Sequence, residues 1–250
     1  MTAIAAEAKA LAAVKKQGRF LQHVPAKLKT ERVCLAAVRN CGHALRFVPA
    51  RFKTPGLCLE AVRSFDMYGD QRQDGTPLQF VPFRLRTPEL CLEAVKCDII
   101  GMAMKHVPAR LKTAEMCALA SGTPAGLQHV PLRFRTKENC EAAVAADPYQ
   151  LRWVPHALRT AEMCMSALEG GYAGLLRCVP RRLLTPEMCV AALVNAEDFL
   201  KEGDPGTALA YIPRRLLDHP AVRRAALESG AADEARLEEL KTKLHRRRKG

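Results

Sequence analysis

Two residues after a recurring proline stands a cation in all but one case: Lys27, Arg51, Arg84, Arg110, Arg133, Arg182 and Arg215, with Ala157 the exception. Four residues after the same prolines stand Lys29, Lys53, Arg86, Lys112, Arg135 and Arg159. Two residues before them stand His23, Phe47, Phe80, His106, His129, Trp153, Cys178 and Tyr211. Cations beside rings suit a single nucleic-acid strand: ammonium and guanidinium groups neutralise phosphates, and planar side chains stack on unpaired bases. If each short segment stays helical through its proline, the ring at −2 and the cation at +2 share a face. Seven and six cations make thirteen, which equals the formal net charge of +13. A surplus of that size is an argument about partners rather than about fold. The expected partner is therefore a polyanion: nucleic acid, with RNA favoured over duplex DNA, or an acidic protein. A plainer reading is that these side chains cover seams between repeats, or form a solvated face that keeps an apolar array soluble.

Other chemistry is excluded on spacing. Ten cysteines look like a disulfide framework, but most fall one per repeat rather than in close pairs. Zinc sites want pairs two to four residues apart. Small buried thiols on a helix are the better account. The imidazoles His23, His106 and His129 fall on the same lattice and are read as scaffold. No phosphate-cradling glycine loop, nucleophile elbow or isolated acid pair is present, so neither an enzyme nor a cofactor nor a small-molecule substrate is expected. The first residues, Met1-Thr2-Ala3-Ile4-Ala5-Ala6-Glu7-Ala8-Lys9, lack a basic n-region before an apolar core. No apolar run approaches the roughly 18 residues of a membrane span. The expected setting is the reducing cytoplasm.

What must position these rows is a repeat. Val-Pro or Ile-Pro recurs at Pro25, Pro49, Pro82, Pro108, Pro131, Pro155, Pro180 and Pro213. Counting each proline as position 0, Leu or Met stands at −4, Leu or Phe at +3, Thr at +5 (Asp218 in the last copy) and Ala at +12. Cys stands at +9 in every copy but the last, from Cys34 to Cys189, where Val222 replaces it. Agreement at so many offsets in eight copies is not chance. Thr87-Pro88-Glu89 and Thr185-Pro186-Glu187 read as helix starts: a capping hydroxyl, proline at the first helical position and an acid at the positive end of the dipole. The helix that follows carries one apolar stripe, Leu90, Cys91, Ala94 and Val95. Glycine closes several of these helices, as at Gly42, Gly122 and Gly170. A second segment, with Leu45, Val48 and Phe52 at i, i+3 and i+7, is crossed by the proline, which should break it into helix and 3₁₀ turn.

The expected fold is all-α, an α-solenoid of about eight helical hairpins of about 24 residues, with a right-handed superhelix. The array spans residues 1–230 with a partial first unit, and residues 231–250 supply a capping helix and basic tail. Insertions near 65–76 and 196–207 fall at one point of the unit and read as surface loops. In such an array, thirteen aligned cations should form one basic ridge.

The unit A-L-x-x-V-P-x-x-L-K-T-x-E-x-C-x-x-A-V, well matched at Ala44–Val62, Leu78–Val95 and Met104–Ala120, resembles a tandem-repeat family among bacterial domains of unknown function. The resemblance runs from about Leu11 to Leu227. It implies helical repeats and a bacterial-like origin, with no activity or site residues to carry over. It also leads to the expectation of acids just after the proline, where this chain is mostly basic.

Overall fold

The computed structural model describes residues 3–64, 76–195 and 208–246. Of the insertions near 65–76 and 196–207, residues 65–75 and 196–207 lie outside the described residues, as does the end of the basic tail. The described residues are helical, with no strand among them. The chain forms two compact units, Met1–Val130 and Pro131–Gly250.

In the first unit lie α1 (Ala3–Lys16), α2 (Glu31–Asn40), α3 (Pro55–Arg63), α4 (Pro88–Cys97) and α5 (Ala114–Ser121). Each packs on the next. In the second lie α6 (Lys137–Ala146), α7 (Ala161–Glu169), α8 (Pro186–Val194), α9 (Pro220–Glu228) and α10 (Glu234–Arg246). Here α6 packs on α7, α7 on α8 and α8 on α9, while α10 lies on the single helical turn Arg214–Leu217.

Every long helix from α2 to α8 starts on its threonine. The hydroxyls of Thr30, Thr54, Thr87, Thr113, Thr136, Thr160 and Thr185 accept the amide three residues on, at 3.2–3.4 Å. That satisfies one of the orphan amides at each helix start. The last copy departs from this: α9 begins at Pro220 with His219 before it, and no side chain caps it. Asp233 does the capping for α10, accepting the Arg236 amide at 2.7 Å. Arg223 of α9 then clasps α10 through Glu238 at 3.1 Å and through Glu234, and Leu237 is fully buried beneath the clasp.

The inward faces are built from the repeated positions. Cys at +9 is fully buried in all seven copies that carry it, and Ala at +12 is buried in all eight. Leu or Met at −4 and the Val or Ile before each proline are buried as well. Truncating a leucine such as Leu45 to alanine should cost about 2–5 kcal/mol. Gly42 is not a left-handed helix terminator, because Cys41 ends α2. Its role is close approach: a Cβ there would stand 2.0 Å from the Ala61 carbonyl oxygen of α3. Gly18 meets Ala37 in the same way, at 2.3 Å.

In copies 1 to 7 the second segment contains no α-helix in its first half. It is a 3₁₀ run ending at position −2, as in Gly18–His23, Gly42–Phe47, Pro77–Phe80, Leu127–His129, Pro148–Trp153 and Ala173–Cys178. Copy 4 ends one residue earlier, at Ala103–Lys105. Valine and proline are then extended, with Val48 at φ −75°, ψ 128° and Pro49 at φ −56°, ψ 142°. A residue before proline is pushed out of the α region, and proline has no N–H to continue a ladder. A further 3₁₀ turn follows, such as Ala50–Phe52.

Burial pushes the repeat thiols up: Cys91 and Cys164 to about 11 and Cys189 to about 12. Cys97 alone among the ten is not buried. In the native protein at pH 8, an aromatic disulfide reagent should titrate Cys97 quickly and the others only on unfolding. Fast reaction of several thiols would show that the cores are open.

Candidate nucleic-acid interface

The break at Val-Pro sets the geometry of the basic rows. The amide of the Val at −1 turns back to the carbonyl at −4, as Val48 N–H does to Leu45 O at 3.3 Å and Val154 N–H to Leu151 O at 3.2 Å. Beyond it the chain is extended, and no following amide bonds the carbonyl at −2. A half-buried carbonyl at a helix C-terminus must find a donor elsewhere.

The donor is the +4 cation of the preceding copy. In the first unit Lys29 Nζ donates to Phe47 O at 3.2 Å, Lys53 Nζ to Phe80 O at 3.0 Å, Arg86 to His106 O at 2.7 Å and Lys112 Nζ to His129 O at 2.8 Å. In the second, Arg135 donates to Trp153 O at 2.5 Å and Arg159 to Cys178 O. Arginine does more than lysine here. The Nε of Arg86 also donates to Val81 O at 3.0 Å, and that of Arg159 to Val154 O at 2.9 Å. One guanidinium thus ties its own copy to the next. These side chains are half-buried, and Arg159 is buried. Burial holds the Lys53 and Lys112 ammonium groups below their ordinary range and acts the same way on Arg86 and Arg135.

The thirteen cations therefore do not form one ridge. Lys29, Lys53, Arg86, Lys112, Arg135 and Arg159 are turned into the seams. The +2 row stays outside: Lys27, Arg51, Arg84, Arg110, Arg133, Arg182 and Arg215 are all exposed. Among the described residues none of the seven has a carboxylate partner. On the long helices of the first unit three cations are matched across neighbouring copies: Arg39 with Glu60 at 3.0 Å, Arg63 with Glu93 at 2.8 Å and Lys96 with Glu115 at 3.7 Å.

The rings are also rearranged. Because the chain is extended at Val-Pro, the −2 ring and the +2 cation of one copy are not on successive helical turns. Instead −2 rings lie by the cation at −3. The Arg46 guanidinium stands 5.9 Å from the Phe47 ring centre and 6.0 Å from that of Phe80 in the next copy. Arg152 stands 5.5 Å from Trp153 and 4.6 Å from Tyr149. Phe47, Phe80 and Trp153 are half-buried and Tyr211 is exposed. The +2 cations have their own aromatic neighbours: Phe52 lies 4.8 Å from Arg51, Phe134 4.8 Å from Arg133, and Phe83 5.9 Å from Arg110. Position −3 is a second outer basic row, with Arg46, Lys105 and Arg177 exposed and Arg152 half-buried. Sequence reasoning missed this row. Only four of the eight copies are charged there, so no strict repeat marks it.

His106 and His129 are half-buried, and burial lowers both, with the nearby cations Arg86 and Lys112 acting in the same direction. Among the described residues no group of His, Cys, Asp or Glu could hold a metal ion. None of the described helices is long and apolar enough to cross a membrane.

A family model described as "Domain of unknown function (DUF4116)" matches residues 9–53. That stretch contains the first two Val-Pro pairs, the Thr30 cap and the first seam cation, Lys29. No curated protein and no solved structure matches the chain.

The two rows separate in stability measurements. Arg86→Met leaves the His106 carbonyl without its donor and should lower the unfolding free energy by about 1–3 kcal/mol. Arg84→Met, two residues away and exposed, should stay within about 0.5 kcal/mol of wild type. Denaturant unfolding of both variants checks this, and equal effects would remove the distinction between seam and surface.

Proposed function

We propose that this chain is a non-enzymatic α-solenoid whose outer basic rows bind a polyanion, single-stranded RNA in preference to duplex. The observation that carries the reading is the contrast between its two outer faces. On the long helices Arg39, Arg63 and Lys96 each meet a carboxylate of the next copy, whereas the +2 row is exposed and none of its seven cations has a carboxylate partner among the described residues. A repeated cation kept outside and unpaired is available to phosphates, and each phosphate neutralised releases counterions.

The preference for a single strand rests on the rings. Guanidinium planes over Phe47, Phe80 and Trp153, with Tyr211 exposed, offer flat surfaces to unpaired bases. Stacked, paired bases in a duplex cannot use them. Such binding needs neither metal nor cofactor, and the variation of the −2 residue from His to Phe to Trp to Tyr supplies different stacking partners in different copies.

Fluorescence anisotropy with labelled single-stranded RNA, single-stranded DNA and duplex DNA tests the reading. Binding should favour RNA and fall steeply with salt. A strand touching about four cations gives a slope of log affinity against log salt near −3. The triple variant R84E/R110E/R133E should abolish binding while its helical circular dichroism is unchanged. Undiminished binding by that variant, or equal weak binding of all three polymers, would rule the reading out and leave an acidic protein as the partner to seek.

A further inference from the structure

In copies 1 to 6 a cation at +4 enters the seam. Copies 7 and 8 break this rule together: both read Pro-Arg-Arg-Leu-Leu, at Pro180–Leu184 and Pro213–Leu217. The +4 position is now leucine, with Leu184 7% and Leu217 1% exposed. The second cation has moved to +1, where Arg181 and Arg214 are exposed beside the exposed +2 residues Arg182 and Arg215. Elsewhere +1 is Ala26, Ala50, Phe83, Ala109, Leu132 or His156. Charge that the earlier copies spend inside is therefore placed outside in the last two.

The density that results is set by packing. Copies 7 and 8 are consecutive, and their long helices α8 and α9 pack on each other. Packed helices lie about 8–10 Å apart. That is about one Debye length at physiological salt, so the fields of guanidinium groups on neighbouring copies add. Guanidinium groups bind phosphate oxygens bidentately, which lysine cannot do. All the exposed cations at +1 and +2 in these two copies are arginines.

We infer that copies 7 and 8 form a phosphate-dense anchor for the strand, so that the second unit supplies the larger share of the affinity. This rests on the reading of the basic rows as a strand-binding face. It adds that the face is uneven and that its strongest site is the doubled arginine pair near the C-terminal end of the array.

Two charge-matched triple variants test it, each removing three exposed arginines: R181A/R182A/R215A and R51A/R84A/R110A. Single-stranded RNA binding is measured at one salt concentration, with circular dichroism and thermal melting as folding controls. Both triples should weaken binding, and the C-terminal triple should lose at least about three times more affinity than the N-terminal one. A third variant, A50R/A109R, installs the +1 arginine in two copies of the first unit and should raise affinity. The prediction then stands on a gain as well as on a loss. Equal losses from the two triples, with no gain in the third variant, would overturn the anchor and leave strand binding intact. Absence of RNA binding by the wild-type chain would overturn both.

Discussion

A carbonyl with no amide to receive is the constraint from which this architecture follows. The Val-Pro pair ends each 3₁₀ run and turns the chain extended, so the oxygen at −2 is left at the edge of its copy. An unmet carbonyl of that kind costs about 1–3 kcal/mol when buried. With several copies in series, leaving each one unmet would consume much of the stability of a small domain. The preceding copy supplies the donor, and it must be long enough to cross from +4 to the neighbour's −2. Lysine and arginine alone have that reach with hydrogen atoms to give and no acceptor to satisfy. The basic composition is thus in part a structural requirement: six cations are spent on main-chain oxygens.

This explains why net charge misleads as a measure of the binding face. The match between thirteen row cations and the charge of +13 suggested a single ridge. In fact the +2 and +4 positions are two residues apart in a turn of about three residues, so they point to different sides. A reading that carried α-helical spacing through the proline placed them together and set the −2 rings beside them. The all-helical class, the threonine caps and the buried cysteines at +9 were legible, because caps and thiols are signalled by residue type at a fixed offset. The seam bonds were not. Their acceptors are backbone oxygens, which every residue has, so no side chain at −2 marks them: His, Phe, Trp and Cys all serve.

The two outer faces then differ for a physical reason. On the long helices, cations near the C-terminal end of one copy meet acids of the next, as in Arg39–Glu60 and Arg63–Glu93. Such exposed pairs contribute little to stability, but they leave that face close to neutral. The short segments carry no acid at +1 to +4 in any copy. Phe83 and Leu132, 61% and 72% exposed, precede Arg84 and Arg133 in the chain.

A polar seam also does what an apolar one cannot. Leucine against leucine tolerates sliding and rotation of one copy on the next, since dispersion contacts are non-directional. A cation that must reach one oxygen at about 3 Å accepts few relative orientations, and an arginine that bridges Val81 O and His106 O at once accepts fewer still. Each staple therefore fixes how one copy is set against its neighbour at little or no net gain over an apolar contact. On this view the leucine seam of copies 7 and 8 gives up one angular constraint. Beyond copy 8 the neighbour is held differently, by Arg223 of α9 on Glu238 and Glu234 of α10.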